Sequence, residues 1–287
     1  MLRQRVITAL LLIPLPVAAV WFGEPWFTSL VAVFGVLAAL EFYRLGSSAK
    51  ASPVTYLGLL FTLLFIISRN PDLLSRLTTN LDPTLISPLI LAAAMVLTLT
   101  WILLRRKKDG AVASWAWTMA GILYVGWLLG HVVSLRGLTD SYGSDILGRN
   151  WVFFILLATV ASDTAAFFIG RAVGRHKLAP QISPNKTWEG AIAGVIGAIV
   201  FSLLFTPTEL FSLTNPLHIQ GISYGEAILL GALVSIFGQF GDLAESLLKR
   251  NAKVKDSGNL LPGHGGVLDR LDSIIFAGVV VYYFAVL

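Results

Sequence analysis

The chain of 287 residues contains no cysteine, and only 13% of it is charged. Without cysteine there are no disulfides and no thiolate chemistry, and the redox compartment cannot be read. A soluble domain carries roughly 25% charged residues, so the scarcity of charge excludes an ordinary soluble fold. The chain is 56% hydrophobic, with a mean hydropathy of +0.77. It reads as an integral membrane protein. Three nucleotide and nucleophile motifs are also missing: G-x-x-x-x-G-K-[ST], G-x-G-x-x-G and G-x-S-x-G. Nucleotide binding, if present, therefore uses neither a P-loop nor a Rossmann turn, and no nucleophile elbow exists.

Nine apolar stretches fall near 6–22, 26–43, 55–68, 85–104, 114–135, 151–170, 188–206, 224–246 and 268–287. Most have the length of a membrane span, about 17–25 residues; the third is short. Basic residues test this division. With the N-terminus in the cytoplasm, seventeen of the 21 Lys and Arg fall on the cytoplasmic side, and only Arg69, Arg76, Arg136 and Arg149 fall opposite. A wrong helix count would scramble that alternation, so the positive-inside rule favours nine helices, N-terminus in and C-terminus out. The expected fold class is an all-α polytopic membrane protein, with 1–287 forming a single membrane domain. Arg3 and Arg5 before an apolar run resemble a signal peptide, but Pro14 and Pro16 interrupt the run, and a retained first helix is expected. The net charge of +5 and a pI near 9.6 fit topology and contact with anionic lipid rather than nucleic acid. Connections 69–84, 136–150 and 207–223 read as turns and loops. Gly126/Gly130 and Gly190/Gly194 are helix-packing pairs, within one chain or between two, so a homodimer stays open.

Charge gathers in the second half, and residues 246–272 hold the densest cluster. Asp163 lies inside the apolar run 151–170, where a carboxylate costs about 2.5–3.5 kcal/mol on insertion scales; it reads as a residue facing a polar cavity. Ser183-Pro184-Asn185-Lys186-Thr187-Trp188-Glu189-Gly190 is expected to open the seventh helix, capped by Thr187 or Ser183. Free amides at such an end suit an anion, and Lys186 adds a mobile positive charge. Asp242 and Glu245 lie three apart at the end of the eighth helix, and Asp269 and Asp272 repeat the spacing beside the ninth. Hard oxygen ligands of this kind suit Mg²⁺. Solvated salt bridges such as Asp269 with Arg270 are the competing reading. Lys249, Arg250, Lys253 and Lys255 serve either the anionic leaflet or a phosphate. His264, in the run Gly263-His264-Gly265-Gly266, is a base, a phosphate donor or a packing residue; no zinc spacing surrounds it.

These residues resemble a known signature. Ser246-x-Leu248-Lys249-Arg250, Lys255-Asp256 and Pro262-x-His264-Gly265-Gly266-Val267-x-Asp269-Arg270-Leu271-Asp272 together look like that of the phosphatidate cytidylyltransferase family, without departure. Residues 162–166, 183–190 and 241–246 are similar to the same family. The resemblance covers about 150–287, while 1–135 looks like scaffold. It implies transfer of the cytidylyl group of CTP to phosphatidic acid, in the cell (inner) membrane, with the site facing the cytoplasm. Mg²⁺ is expected, with Asp242 and Asp269 as leading ligands and Asp272, Glu245 and Asp256 in or near that set. Two metals, or a monovalent cation, are compatible with the paired acids. Lys186, Arg250 and then Lys249 are expected to hold phosphates. His264, Gly265 and Gly266 would shape the loop around the nucleotide, with Arg270 and Asp163 lining the site. A CTP-dependent lipid kinase and a cation-coupled transporter are the rival classes; the D-G-x-x-A-R run of CDP-alcohol phosphotransferases is missing.

Overall fold

The computed structural model describes residues 13–77, 82–106, 109–206, 215–261, 263 and 265–287. Ten helices run through them: α1 (Pro14–Phe22), α2 (Trp26–Ser48), α3 (Thr55–Ile67), α4 (Pro71–Leu77), α5 (Pro83–Leu104), α6 (Ala111–Arg136), α7 (Ile146–Val173), α8 (Trp188–Ser202), α9 (Tyr224–Asn251) and α10 (Leu268–Val286). Each apolar stretch coincides with one of them. The first is seen only from Pro14, because Arg3, Arg5 and the rest of 1–12 lie outside the described residues. Among the described residues six helices are long and apolar enough to cross a bilayer: α2, α5, α6, α7, α9, and α8 with its 3₁₀ extension to Phe205. The chain is thus a multi-pass, predominantly α-helical membrane protein. At 13 residues, α3 is about 20 Å long, short of a hydrocarbon core of about 30 Å.

Two departures from the sequence-based expectation have local causes. Connection 69–84 contains a helix, α4. Pro71 stands at its first position and Asn70 accepts the Leu73 N–H at 2.9 Å, which is a helix start by capping chemistry. Segment 183–190 opens its helix as expected, with Thr187 as the cap, but is extended before it rather than capped from Ser183. Ser183–Thr187 forms β2, paired antiparallel with β1 (Lys177–Ala179) in a small hairpin, with Lys177 opposite Thr187 and Ala179 opposite Ser183. Pro184 has no backbone N–H and disfavours α geometry for Ser183, so the extended form prevails.

The chain divides into two compact units. One comprises Met1–Gly137 with Leu248–Leu271, the other Leu138–Leu247 with Asp272–Leu287, so the division falls within α9 and α10. In the first unit Phe61, Phe65, Ala94, Met119 and Ile122 form a buried cluster. Tyr43 of α2 is 1% exposed, donates to the Thr118 carbonyl at 3.2 Å, and fills the space left by Gly58 of α3 and Gly121 of α6. Beyond Gly121, α6 widens into one π-helical stretch, Ile122–Trp127. There a Cβ on Gly126 would lie 2.8 Å from Thr62 Cα, so α3 and α6 touch backbone to backbone.

In the second unit α7 and α8 cross as closely. A Cβ on Gly190 would lie 2.8 Å from the Ala166 carbonyl and 3.1 Å from Gly170 Cα, and one on Gly194 would lie 3.0 Å from Ser162 Oγ. Both glycine pairs are therefore used within the chain. A polar ladder ties α9 to this crossing: Ser162 Oγ and Ser235 Oγ are 2.7 Å apart, and Gln239 Nε2 donates to Ser235 Oγ at 3.0 Å and to the Ala191 carbonyl at 3.2 Å. Gly126→Ala is expected to lower stability by about 1–3 kcal/mol through overpacking. Gly225→Ala, whose methyl meets nothing within 4 Å, is its control. Thermal unfolding in detergent checks the pair; equal melting would refute the close packing.

Candidate active site

The second unit holds Lys186 at the exit of the hairpin. Thr187 is extended and caps α8, accepting the Gly190 N–H at 3.2 Å. Its Oγ1 sits in a niche left by Gly170, Gly174 and Gly190, where a Cβ on Gly174 would lie 2.7 Å away. Glu189, in the first turn of α8, reaches back to the hairpin's entry: His176 Nδ1 lies 2.6 Å from Glu189 Oε1, and the His176 N–H donates to the same oxygen at 3.2 Å. The Trp188 N–H completes the tie by donating to the His176 carbonyl at 2.9 Å. The hairpin is thus clamped to the α8 terminus, and Lys186 Nζ is delivered to Asp242 Oδ2 of α9 at 2.7 Å. Ser246 Oγ donates to the other oxygen, Asp242 Oδ1, at 3.3 Å. One turn beyond Asp242, Glu245 is fully buried. Gly241 lets α9 meet the Asp272 carbonyl of α10, which a Cβ would obstruct. Asp272 is buried and its Oδ1 accepts the Ser273 N–H at 2.7 Å.

The first unit holds the second lysine–aspartate pair. Lys249 Nζ lies 2.6 Å from Asp269 Oδ1, with side chains 11% and 9% exposed. Asp269 Oδ2 accepts three further bonds: Ser257 N–H at 3.1 Å, Ser257 Oγ–H at 3.0 Å and Gly266 N–H at 2.8 Å. Asp269 thereby shapes the loop before α10. That loop turns on Gly263 (φ +78°) and Gly265 (φ +83°), and closes with the Leu261 N–H on the Gly265 carbonyl at 3.0 Å. A Cβ is strained at such angles, so glycine is required at both. Gly266 is a different case: it is buried against Ser257 and Glu41, where no side chain fits.

The remaining candidates sit further out. Arg250, Asp256 and Arg270 are exposed, and Arg250 donates to the Val254 carbonyl at 3.3 Å. Asp163 is exposed on α7. His264 lies outside the described residues. Sequence reasoning passed over Glu41 of α2, which is 0% exposed and bonds Ser257, although its signal was the one that picked out Asp163: a carboxylate inside an apolar run. A separate cavity of about 350 Å³ is lined by Glu24, Thr28, Asn70, Asp72 and apolar neighbours, and contains none of the expected residues. Burial raises the Glu24 carboxyl above its ordinary value, opposed by bonds from Thr28 and by the charge of Arg136.

Among the described residues no three of His, Asp and Glu converge as a ready-made metal cage. What is present is two carboxylates on different helices, each partnered by a lysine. Each carboxylate by itself fits a hard cation that keeps its waters and shares substrate phosphates, since such an ion needs only one or two protein carboxylates. Each lysine equally fits a polyanion, whose phosphates can take it from its aspartate.

Two lysine–aspartate pairs, one in each unit of a multi-pass helical frame, are the arrangement in hand. Residues 3–287 match the model of the Cytidylyltransferase family, and the chain belongs to that family. It is 33% identical over 287 residues to phosphatidate cytidylyltransferase of Bacillus subtilis, covering 98% of this chain and 97% of the other. It is 34% identical over 286 residues to the phosphatidate cytidylyltransferase of Brucella suis, covering 99% and 93%. Phosphatidate cytidylyltransferase 5, chloroplastic, of Arabidopsis thaliana is 34% identical over 296 residues, covering 95% of this chain and 69% of that one. Similarity extends through α1–α6, where the sequence alone offered only hydrophobicity.

The Thr187 cap generates a prediction. Thr187→Ala should cost about 1 kcal/mol and Thr187→Ser much less, read as melting temperature in detergent. An Ala variant as stable as the parent would refute the cap.

Proposed function

We propose that this chain is a phosphatidate cytidylyltransferase, an enzyme that joins CTP and phosphatidic acid to give CDP-diacylglycerol and pyrophosphate. The observation that carries the reading is the matched pairing of Lys186 with Asp242 and Lys249 with Asp269. Names of relatives aligned along nearly the whole chain support the choice of substrates.

The chemistry asks for little covalent help. A phosphate oxygen of phosphatidic acid is already ionised at neutral pH and needs no strong base. It attacks the α-phosphorus of CTP in line; the new P–O bond forms as the bond to pyrophosphate breaks. The obstacle is repulsion between two polyanions, so catalysis rests on electrostatics and positioning. Lys186 and Lys249 each form an ion pair with an aspartate, that of Lys249 also a hydrogen bond, and can turn their ammonium groups to an incoming phosphate. Arg250 and Arg270, both exposed, are further candidates for phosphate contact. Asp256 and the Gly265–Gly266 loop, with His264 between Gly263 and Gly265, border the nucleotide.

Asp242 and Asp269 would each offer a carboxylate to Mg²⁺, with Glu245 and Asp272 in reserve if two ions bind; the metal, when bound, offsets the charge of the triphosphate and of departing pyrophosphate. Asp269 Oδ2 is taken by three donors, which leaves Oδ1, now facing Lys249, as the oxygen to do so. Asp242 is less constrained, since Ser246 holds its Oδ1 only at 3.3 Å. The basic residues favour nine spans with the N-terminus cytoplasmic, the C-terminus outside and the site opening to cytoplasmic CTP, in a cell membrane. Phosphatidic acid then arrives sideways from the bilayer, and Asp163 lies on its path.

Purified protein in mixed micelles, given labelled CTP, phosphatidic acid and Mg²⁺, is expected to release CDP-diacylglycerol and pyrophosphate, and EDTA to stop it. Asp242→Asn and Asp269→Asn should each lower kcat by about 10²–10³-fold, the scale of losing one charge-stabilising group. Lys186→Ala should cut kcat/KM for CTP or phosphatidic acid by about 10²-fold on the same scale. Well-folded protein that makes no CDP-lipid would overturn the reaction, and normal turnover in both aspartate variants would overturn the site.

A further inference from the structure

Glu41 belongs to an apolar helix, yet its side chain is 0% exposed. Burying a carboxylate in such surroundings is expensive unless it is paired. Its partners come from far along the chain. Oε2 accepts the Ser257 hydroxyl at 3.1 Å and the Leu268 N–H at 2.9 Å. Leu268 opens α10, so its N–H is one of the donors a helix start leaves unsatisfied. A carboxylate there also meets the positive end of the helix dipole. Glu41 thus acts as a cap for α10, supplied by α2.

The cap is coupled to Asp269. Ser257 Oγ stands 3.1 Å from Glu41 Oε2 and 3.0 Å from Asp269 Oδ2. A hydroxyl has one hydrogen and here two carboxylate neighbours, so its placement links the two acids. Ser257 also donates its backbone N–H to Asp269 Oδ2. Two of the three bonds on that oxygen therefore come from a residue that Glu41 holds. The loop is cut to fit: a Cβ on Gly258 would fall on Glu41 Oε1, and one on Gly266 on Glu41 Oε2 and Ser257 Oγ.

The other oxygen points to function. Glu41 Oε1 is buried and has no hydrogen-bond partner among the described residues. An apolar residue of similar volume would avoid that cost, and such replacements of buried charge are often stabilising. A carboxylate at this position makes sense through what it does to Asp269. We propose that Glu41 is a positioning residue for nucleotidyl transfer, fixing Ser257 and the α10 terminus so that Asp269 turns Oδ2 into the loop and presents Oδ1 to Lys249 and the reacting phosphates. The proposal rests on the place of Asp269 in the site.

The test compares Glu41→Leu, Glu41→Gln, Ser257→Ala and Asp269→Asn, with Glu24→Gln, at the unrelated cavity, as control. Steady-state kinetics and hydrogen exchange of 256–268 are the readouts. Glu41→Leu is expected to lower kcat about 10–100-fold, the range for residues that orient a ligand from behind. KM for both substrates should stay within about threefold, and exchange should speed up in 256–268 but not in α7 or α8. Glu41→Gln, which keeps an oxygen for Leu268, should recover part of the loss. The Glu41→Leu/Ser257→Ala double variant should be no slower than the slower single one, because both act through one chain of bonds. Normal kcat in well-folded Glu41→Leu, or fully additive losses, would overturn the proposal. If Glu41→Leu fails to fold, Ser257→Ala decides: normal kcat with normal exchange overturns it. An active Asp269→Asn would remove the site reading beneath it, whereas an inactive Asp269→Asn beside a fully active Glu41→Leu would remove the positioning role alone.

Discussion

Among the described residues buried charge is held by polar partners, and that constraint organises the functional half. In an apolar surrounding an unpaired carboxylate or ammonium loses its hydration and gains little in return. Lys186 therefore faces Asp242, and Lys249 faces Asp269. Each pair needs a specific backbone arrangement. The first requires the hairpin to be clamped onto α8 by Glu189, His176 and Thr187. The second requires the loop before α10 to fold back on Asp269. Those local structures exist to bring opposite charges within hydrogen-bonding distance, and they leave lysines that can turn to a phosphate.

Close backbone approach is the second requirement, because a pair held at 2.6–2.7 Å tolerates little drift. Small residues provide it. Gly126 brings α6 onto α3, Gly190 and Gly194 bring α8 onto α7, and Gly241 brings α9 against the Asp272 carbonyl. Backbone contact of this kind also strengthens association in lipid, where van der Waals packing replaces the hydrophobic effect. The serine–glutamine ladder on α9 fixes that helix one turn before Asp242, so orientation reaches the acid through rigid neighbours.

One contact from the N-terminal helices reaches the acidic loop. Glu41 links α2 to Leu268 across 227 positions of sequence, and through Ser257 to Asp269.

The sequence by itself determined where helices lie and what class of chemistry they serve. Hydropathy is a sum over neighbouring residues, so nine apolar stretches could be read without knowing what each touched. The signature in 246–272 was legible for the same reason, being contiguous. Local competition was harder: of the two expected caps Thr187 and not Ser183 opens α8, with β2 before it, and Pro71 with Asn70 made a helix of an expected loop. Tertiary structure alone decided the pairing. Nothing in the spacing says that Asp269 meets Lys249, twenty positions away, that Gly258 and Gly266 make room for a glutamate, or that this glutamate comes from α2. Those choices depend on which distant groups meet once the helices close, and on the cost of leaving any of them alone in a medium without water.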